Sequence, residues 1–287
     1  MKQPLEINIL SSDGYDRQSL PLIVSTFEDR GHQVNLMPVE NSPEAAEILD
    51  GDVFIDRSAV IDVNFFRDMA LGYFMRRADN KPTPVMVDNP FSTMISFDKR
   101  KTHRMFPDLI PETYDLDGVT NHDTISNFIG DEYVVIKDPF GWYGNGIVRL
   151  SPDQALADYG LAEGLVVQKY IPFSEGLGRI YTLNYEADFL VMASYMETPD
   201  IWRSGEGAKS TYRPVEVTKP LHEFARQVSK ISGLYLNAID YIDSGEDRLL
   251  LEINAVPNLY APHNNVGANS FELFAEHVER SAASRRV

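Results

Sequence analysis

The chain contains no cysteine, and this absence narrows its chemistry. Disulfide bonds, thiolate metal sites and cysteine nucleophiles are all excluded, because each needs a sulfur atom that this sequence does not supply. Any metal ion is therefore expected to bind through oxygen or nitrogen ligands, which favours a hard cation.

Positive charge and long apolar runs are also scarce. Lys and Arg number 26 against 43 Asp and Glu, so the formal net charge is -17. Such a charge repels nucleic acids and anionic lipids unless a local basic groove overrides the overall field. No stretch reaches the roughly 20 apolar residues of a transmembrane helix, and MKQPLEINIL lacks the apolar core of a signal peptide. We therefore expect a cytoplasmic protein without nucleic-acid or membrane partners.

The first part of the 287-residue chain alternates strand and helix patterns, and the length suffices for two domains. The expected strands are 5–10, 32–37, 51–56 and 84–87, and the expected helices are 17–30 and 62–77. This alternation predicts a small parallel sheet with helices on both faces. The apolar face of the second helix is expected to contain Phe65, Phe66, Met69 and Phe74.

Strand patterns dominate after about residue 120. The expected strands are 133–137, 146–150, 165–171, 179–185, 189–196, 236–242 and 248–254, and the expected helices are 152–159, 218–231 and 269–283. This order predicts a mixed, largely antiparallel layout. The whole chain therefore combines α/β with α+β architecture.

The segment VVIKDPFGWYGNGIVRL joins two apolar strands through a glycine-containing loop. Lys137 ends the first strand, and Gly141, Gly144 and Gly146 follow it. Backbone N–H groups in such a loop can form a concave anion site, and glycine lets the backbone approach phosphate oxygens closely. The pattern is typical of a phosphate-covering flap rather than a P-loop, because a strand follows and Gly-Lys-Ser/Thr does not. An ordinary hairpin with a surface lysine is the alternative.

A second hairpin, LNAIDYIDSGEDRLLLEINAVPN, carries carboxylates. Strand alternation places Glu252 and Asn254 on one face together with Leu250, and Leu251 on the other. A turn centred near residue 246 sets Asp240 opposite Glu252 at roughly 5 Å. Two unpaired carboxylates this close repel each other, and Mg²⁺ is the simplest partner that keeps both ionised. A solvent-facing polar edge of the hairpin is the alternative.

Together with VVQKYIP at 166–172, the two hairpins follow the motif order of the ATP-grasp superfamily. The sequence resembles the branch that contains glutathione synthetase and the ribosomal-protein glutamate ligases, over roughly residues 85–265. This resemblance implies an ATP-grasp fold with a Rossmann-like domain before it. The implied domains are 1–90 for the N-terminal domain and 91–287 for the grasp domain, with a lid at about 120–172 and a C-terminal part at about 173–287.

The resemblance also implies the residues that hold the nucleotide. Asp240, Glu252 and Asn254 match the family's ligands for Mg²⁺ on the ATP phosphates, with Mn²⁺ as a second candidate ion. Lys99 and Lys137 match its two ATP-phosphate lysines. For Lys99, a solvated basic helix face is the alternative. The hinge expected at the adenine edge consists of Gln168, Lys169, Tyr170 and Ile171.

Two arginines match positions near the reacting groups in that family. Arg179 is implied at the transferring phosphoryl group, and Arg203 near the reacting centre. Surface salt bridges are the alternative for both. The family usually has an acid where this chain has Leu177, so Glu175 is the candidate for the ribose contact. The Ser-Asn that commonly follows the second arginine is Ser-Gly here.

The implied reaction is ADP-forming ligation of a carboxylate to an amine through an acyl phosphate, with an amino acid or peptide as the default substrate. A phosphotransferase acting on a small-molecule hydroxyl and a nucleotide-binding module without turnover are the alternatives. Family precedent favours a homo-oligomer. At the end of the third expected strand, Asp56 and Arg57 are candidates for binding a substrate carboxylate, since ligands bind at the carboxyl ends of strands in open sheets.

Overall fold

The structure is a computed structural model that describes residues 3–13, 16–41, 43–58, 63–115, 122–141, 145–158, 164–172, 177–184, 190–197, 211–243 and 248–285. The strands are β1 Glu6–Ser11, β2 Gln33–Pro38, β3 Val53–Arg57, β4 Val85–Val87, β5 Thr113–Asp115, β6 Val134–Lys137, β7 Ile147–Leu150, β8 Val166–Lys169, β9 Leu177–Leu183, β10 Leu190–Glu197, β11 Thr211–Pro214, β12 Leu236–Asp243 and β13 Arg248–Asn254. The helices are α1 Ser19–Asp29, α2 Ala45–Ile48, α3 Val63–Ala78, α4 Pro90–Ser96, α5 Lys99–Met105, α6 His122–Ile129, α7 Pro152–Asp158, α8 Lys219–Ser232, α9 Tyr260–Val266 and α10 Ser270–Arg285, with a 3-10 turn at Val39–Asn41.

The first four strands form a parallel sheet in the order β2-β1-β3-β4, which confirms the parallel sheet expected from the sequence. Helices cover both faces. Phe27 of α1 and Phe274 of α10 pack on one face, and Met69 of α3 packs on the other. The expected apolar face of α3 is wrong at Phe74, whose relative exposure is 57%. Five positions separate it from Met69, which turns it about 140° away around the helix.

The second sheet is antiparallel and has the order β11-β10-β9-β12-β13. One of its faces is covered by α8, whose Phe224 and Val228 pack against Ile180 and Ile239. The opposite face adjoins the core of the parallel sheet at one end of its strands, through Leu183. The other end of that face lines a cleft.

The third sheet has the order β5-β8-β6-β7 and is also antiparallel. It has a core of its own, in which α6 and α7 pack against β6 through Ile125, Ile129 and Ala155. This sheet carries the glycine-containing loop between β6 and β7. We call residues 113–169 the lid.

Within the described part of the chain, no helix has the length and apolar character needed to cross a membrane.

Candidate active site

A cleft separates the lid from the large antiparallel sheet and encloses about 660 Å³, counting its open mouth. The residues that line the cleft are Lys99, Pro111, Val135, Lys137, Ile147, Gln168, Lys169, Tyr170, Ile171, Leu177, Asp240, Ile242, Leu251 and Glu252. Eight of them were predicted from the sequence as site residues, although they come from three separate motifs and one short helix.

Six apolar lining residues were not predicted: Pro111, Val135, Ile147, Leu177, Ile242 and Leu251. Strand alternation could have identified two of them. Val135 is two residues before Lys137 in β6, and Ile242 is two residues after Asp240 in β12, so each shares a strand face with a predicted polar residue.

A β-bulge explains why Leu251 was placed on the wrong face. Asp240 pairs with Glu252 as expected, but Tyr241 pairs with Leu250, so Leu251 has no partner across the ladder. The extra residue shifts the alternation. Leu251 therefore lines the cleft, and Leu250, expected on the face of Glu252, is fully buried on the opposite face.

Two lysines enter the cleft, and neither lies on the surface. Lys99, the first residue of α5, is 5% exposed, and Lys137, the last residue of β6, is 6% exposed. The Lys99 ammonium donates to the carbonyl of Gly141 at 2.5 Å and lies 3.8 Å from a carboxylate oxygen of Glu252. Lys99 thus links the glycine-containing loop to β13.

Lys137 is held from the side by Gln168. The Lys137 ammonium donates to Oε1 of Gln168 at 2.6 Å, and the amide nitrogen of Gln168 donates to Thr113 at 2.8 Å. Burial lowers the pKa of Lys137 to about 8; the carboxylate of Glu252 opposes this shift, and the charge of Lys99 adds to it. A ligand with negative charge in the cleft would favour the protonated form.

His103 lies beside both lysines and was not predicted. It follows Lys99 by one turn of α5, is 5% exposed, and neither ring nitrogen has a hydrogen-bond partner. Burial lowers its pKa to about 2, and the charges of Lys137 and Lys99 add to the shift. The ring is therefore neutral at physiological pH. In the sequence, only the four-residue spacing from Lys99 pointed to this position.

The carboxylates of the second hairpin are paired with side-chain cations. Arg179 donates to both oxygens of Asp240, at 2.5 and 2.6 Å, and Lys99 lies near Glu252. Burial opposes the charge of Arg179, but Asp240 holds its pKa well above the usual value. Both carboxylates were expected to be unpaired, and the structure instead supplies a cation for each.

The donor set nevertheless suits Mg²⁺. Asp240, Glu252 and Asn254 bring two carboxylates and an amide oxygen, and Mg²⁺ binds through few carboxylates together with water and phosphates. Asn254, half-buried at the end of β13, is not among the residues that line the cleft. Within the described ranges, no three His, Cys, Asp or Glu side chains form a metal cluster, so phosphate oxygens would have to complete the coordination.

The hinge presents its backbone to the cleft. The Lys169 side chain points away, to the carbonyl of Ile129 at 2.9 Å and to Glu132 at 3.0 Å. The amides of Lys169 and Tyr170 already donate to the carbonyls of Glu112 and Tyr133. Among the three hinge amides from 169 to 171, that of Ile171 has no hydrogen bond to another residue that the structure describes.

The glycine-containing loop is described at both of its ends. Gly141 lies against Lys99, and Gly146 has φ +70°, where a Cβ would come within 2.6 Å of the Cβ of Asp138. Glycine is therefore needed at 146. Three predicted site residues, Gly144, Glu175 and Arg203, lie outside the described residues.

Comparison with known families gives a match for more than half of the chain. Residues 117–276 match a family described as the RimK-like ATP-grasp domain. A "Probable alpha-L-glutamate ligase" of Vibrio cholerae is 27% identical over 168 residues, and the aligned part is 56% of this chain and 55% of that protein. A protein of the same name from Marinomonas sp. is 24% identical over 165 residues, with coverages of 56% and 54%. The chain spans about half the length of the curated relatives it matches.

Solved structures share the fold at low sequence identity. The ATP-grasp ligase PsnB, complexed with a phosphomimetic precursor variant, Mg and ADP, superimposes with a TM-score of 0.73 at 13% identity, covering 96% of this chain and 98% of PsnB. D-alanine–D-alanine ligase from Bacillus anthracis has a TM-score of 0.62 at 11% identity, with coverages of 98% and 99%. A RimK domain protein from Sphaerobacter thermophilus has a TM-score of 0.64 at 16% identity, with coverages of 95% and 99%. These similarities establish an ATP-grasp fold over nearly the whole chain.

Proposed function

Because the chain belongs to the RimK-like ATP-grasp family, we propose that it is an ADP-forming carboxylate–amine ligase that uses ATP and Mg²⁺. The observation that carries the proposal is the convergence of Lys99 and Lys137 with Asp240 and Glu252 on one cleft with apolar walls. Buried ammonium groups suit polyphosphate, and paired carboxylates suit the cation that accompanies it. Mn²⁺ is the second candidate ion.

In this proposal the adenine lies between the apolar walls, against the hinge of Gln168, Lys169, Tyr170 and Ile171. The amide of Ile171 is a suitable donor to the adenine ring. The phosphates extend toward Lys99 and Lys137 beneath the loop that contains Gly141, Gly144 and Gly146. Glu175 is the proposed ribose contact, and Asp240, Glu252 and Asn254 are the proposed ligands of Mg²⁺.

The residues of the cleft offset charge as the γ-phosphoryl group moves to a substrate carboxylate. Lys99 and Lys137 stabilise the negative phosphate oxygens, and Mg²⁺, when bound, supplies further neutralisation of the same charge. Arg179 exchanges part of its contact with Asp240 for the transferring phosphoryl group. The lid excludes water, which would hydrolyse the acyl phosphate. Arg203 is the candidate partner for the oxyanion that forms when the amine attacks.

An amino acid or peptide is the proposed substrate class. Curated relatives are named alpha-L-glutamate ligases, and one solved structure of the ligase PsnB is complexed with a precursor peptide. The partners are thus a small-molecule or peptide carboxylate and an amine. We also propose that the protein is a homo-oligomer and that it works in the cytoplasm, where ATP is supplied. The proposed domains are residues 1–90 and 91–287.

The test is ADP release from ATP and Mg²⁺ in the presence of amino acids taken in pairs. We expect release that depends on both a carboxylate and an amine, and a product whose mass is the sum of the two minus water. Hydroxylamine should intercept the acyl phosphate as a hydroxamate. If ADP release does not depend on any amine and the product is a phosphorylated hydroxyl, the protein is a phosphotransferase. If the nucleotide binds tightly but no ADP is formed, the protein is a nucleotide-binding module without turnover.

A further inference from the structure

The end of β13 is held by side chains from the N-terminal part of the chain. Asn254 is the last residue of β13, and residues 255–259 have no regular secondary structure before α9 begins at Tyr260. Asn254 pairs with Ala238, but no ladder pair follows it. Because Asn254 is the last residue of the ladder, its orientation also depends on how the segment 255–259 is anchored.

Arg57 and Ser19 supply anchors for this segment. The Arg57 guanidinium donates through Nη2 to the carbonyl of Pro257 at 2.7 Å, between residues 200 positions apart in the sequence. The amide of Leu259 donates to the hydroxyl of Ser19 at 3.1 Å. Pro257 follows Asn254 by three residues, so the held carbonyl is at most about 11 Å along the chain from the proposed metal ligand.

Arg57 is itself fixed in place. Its side chain is 1% exposed, and Nε and Nη2 donate to the Oδ2 of Asp16 at 2.7 and 2.5 Å. The side chain of Asp16 is 2% exposed, and its backbone has φ +50°, a conformation uncommon for residues other than glycine. The planar fork of an arginine lets one side chain hold a carboxylate and a carbonyl in a fixed relation.

The ion pair of Arg57 with Asp16 is expected to add little to the free energy of unfolding. Its main effect is to fix the positions of the segments that it joins. Buried ion pairs gain little net free energy, because both charges lose their hydration. In addition, Nη1 of Arg57 is buried without a hydrogen-bond partner, which is itself unfavourable. What the pair does provide is a fixed distance between two segments that are far apart in the sequence.

Arg57 lies between the carboxyl ends of β1 and β3 and the end of β13. Arg57 ends β3 and pairs with Ser11, which ends β1. Since β2 and β3 flank β1 on opposite sides, the carboxyl ends of β1 and β3 form the point where an open parallel sheet takes ligands. Asp16 contacts Arg57 at this edge of the sheet, and Arg57 in turn contacts Pro257, so the pair joins this edge directly to the end of β13.

We propose that Arg57 is a positioning residue for the metal site: held by Asp16, it fixes the carbonyl of Pro257 and thereby orients Asn254, at the end of β13, toward Mg²⁺ on the nucleotide phosphates. This inference rests on the proposed function. It replaces the role in binding a substrate carboxylate that the sequence suggested for Arg57, because the guanidinium is buried and already paired.

Arg30 offers a matched control, since it is a second arginine that joins the N-terminal part of the chain to its C-terminal end. It follows α1 and contacts Glu272 and Glu279 of α10 at 2.7 and 2.6 Å. Among the residues that the structure describes, its side chain contacts α10 and not the end of β13. A purely structural role for Arg57 predicts that equivalent changes at the two arginines have equivalent effects.

The experiment compares wild type, Arg57→Lys and Arg30→Lys. Titration calorimetry measures two quantities: the Mg²⁺ concentration that half-saturates ADP binding, and the affinity for ADP without metal. Urea unfolding measures the stability of each variant. Lysine keeps the charge but cannot hold Asp16 and Pro257 together. We expect Arg57→Lys to need about 10-fold more Mg²⁺, the usual effect of losing a residue that orients metal ligands. Its metal-free affinity should match wild type, and Arg30→Lys should show wild-type metal dependence.

Wild-type metal dependence in Arg57→Lys, or an equal shift in Arg30→Lys, would overturn the inference. If Arg57→Lys does not fold, the same measurements are made on Asp16→Asn. This variant retains Arg57 and weakens only the contact that holds its side chain in place. A smaller shift in the same direction supports positioning, and no shift refutes it. Failure of wild type to bind ADP in a Mg²⁺-dependent way would instead overturn the proposed function itself.

Discussion

Lys137 has an environment very different from that of a lysine in water, and its effect on stability should depend on pH. Its pKa is about 8 in the folded protein against 10.5 for an ordinary lysine. Between these values the unfolded chain binds more protons than the folded one, so the contribution of Lys137 to stability rises as pH increases from 8 to 10.5 and is lost as pH falls to 8. Below pH 8 the buried charge is destabilising.

We therefore expect Lys137→Met to be more stable than wild type at pH 7, with the difference shrinking by pH 10. Urea unfolding at pH 7, 8.5 and 10 measures it. Lys219→Met, at a lysine whose side chain is 86% exposed, serves as the control and should show no such trend. A stability difference between Lys137→Met and wild type that does not change with pH would contradict the lowered pKa of Lys137.

The same Lys137→Met change should lower the rate of ADP formation about 10²- to 10³-fold, because a charge-stabilising group is lost.

His103 should make the protein sensitive to acid. Its pKa of about 2 in the folded state lies below the ordinary 6.5, so the unfolded state binds more protons between these values. Stability is then lost as pH falls from 6.5 toward 2. Between pH 7 and 5 the loss attributable to this ring is about 2 kcal/mol.

The free energy of unfolding of His103→Leu should consequently fall less than that of wild type over the same interval. The exposed His263 provides the control substitution, His263→Gln, which should retain the acid sensitivity of wild type. Equal losses in wild type and His103→Leu would show that the buried ring is not responsible.

At the scale of elements, the position of β9 beside β12 depends on a close approach at Gly178. A Cβ at this glycine would lie 2.1 Å from the ring of Tyr241, which packs across the ladder and against Phe224. Gly178 also precedes Arg179, so a shift of the strand moves the partner of Asp240. Overpacking of this kind destabilises by about 1–3 kcal/mol.

Gly178→Ala should accordingly lower the free energy of unfolding and weaken Mg²⁺-dependent ADP binding. Removing the ring should relieve the clash, so in the background of Tyr241→Leu the same glycine substitution should have a much smaller effect. A double-mutant cycle in urea measures this coupling. Additive effects of the two substitutions would argue against the close approach.

At the scale of the whole molecule, the lid and the rest of the chain have separate cores. Buried residues of the parallel sheet, the large sheet and α10 belong to one cluster, which includes Ile9, Leu236 and Phe274. The lid core, with Ile136 and Val167, belongs to another. Because units of local opening often coincide with separately packed motifs, we expect the lid to open without unfolding of the other two sheets.

Hydrogen exchange tests this separation. ADP with Mg²⁺ should slow the exchange of amides in β6, β7 and β8 more than that of amides in β1 and β3, because the ligand contacts the lid and the large sheet. Uniform protection across all sheets, or faster opening of the parallel sheet than of the lid, would contradict two separate cores.

The shared core also explains why a boundary at residue 90 remains a prediction. The helix that closes one face of the parallel sheet is α10, from the far end of the chain, and Arg30 and His32 contact its Glu279 at 2.6 and 2.9 Å. A segment of residues 1–90 would expose the face that Phe274 covers. Local patterns could not reveal this, because the packing partner lies more than two hundred residues away.

Features that depend on the local order of residues were predictable without a structure. Period-two alternation and the length of one turn were enough to pair Asp240 with Glu252, and the order of glycine loop, hinge and carboxylate hairpin predicted the family and the fold. Lys99 and Lys137 were predicted in the same way.

The side chains that contact those residues became evident only in the folded structure. The bulge at Leu251, the pairing of Arg179 with Asp240, the buried ring of His103 and the contact from Arg57 to Pro257 all depend on segments brought together by folding. Burial removes water from such groups, so their charge and orientation are set by the partners that packing supplies, and a linear pattern does not contain those partners.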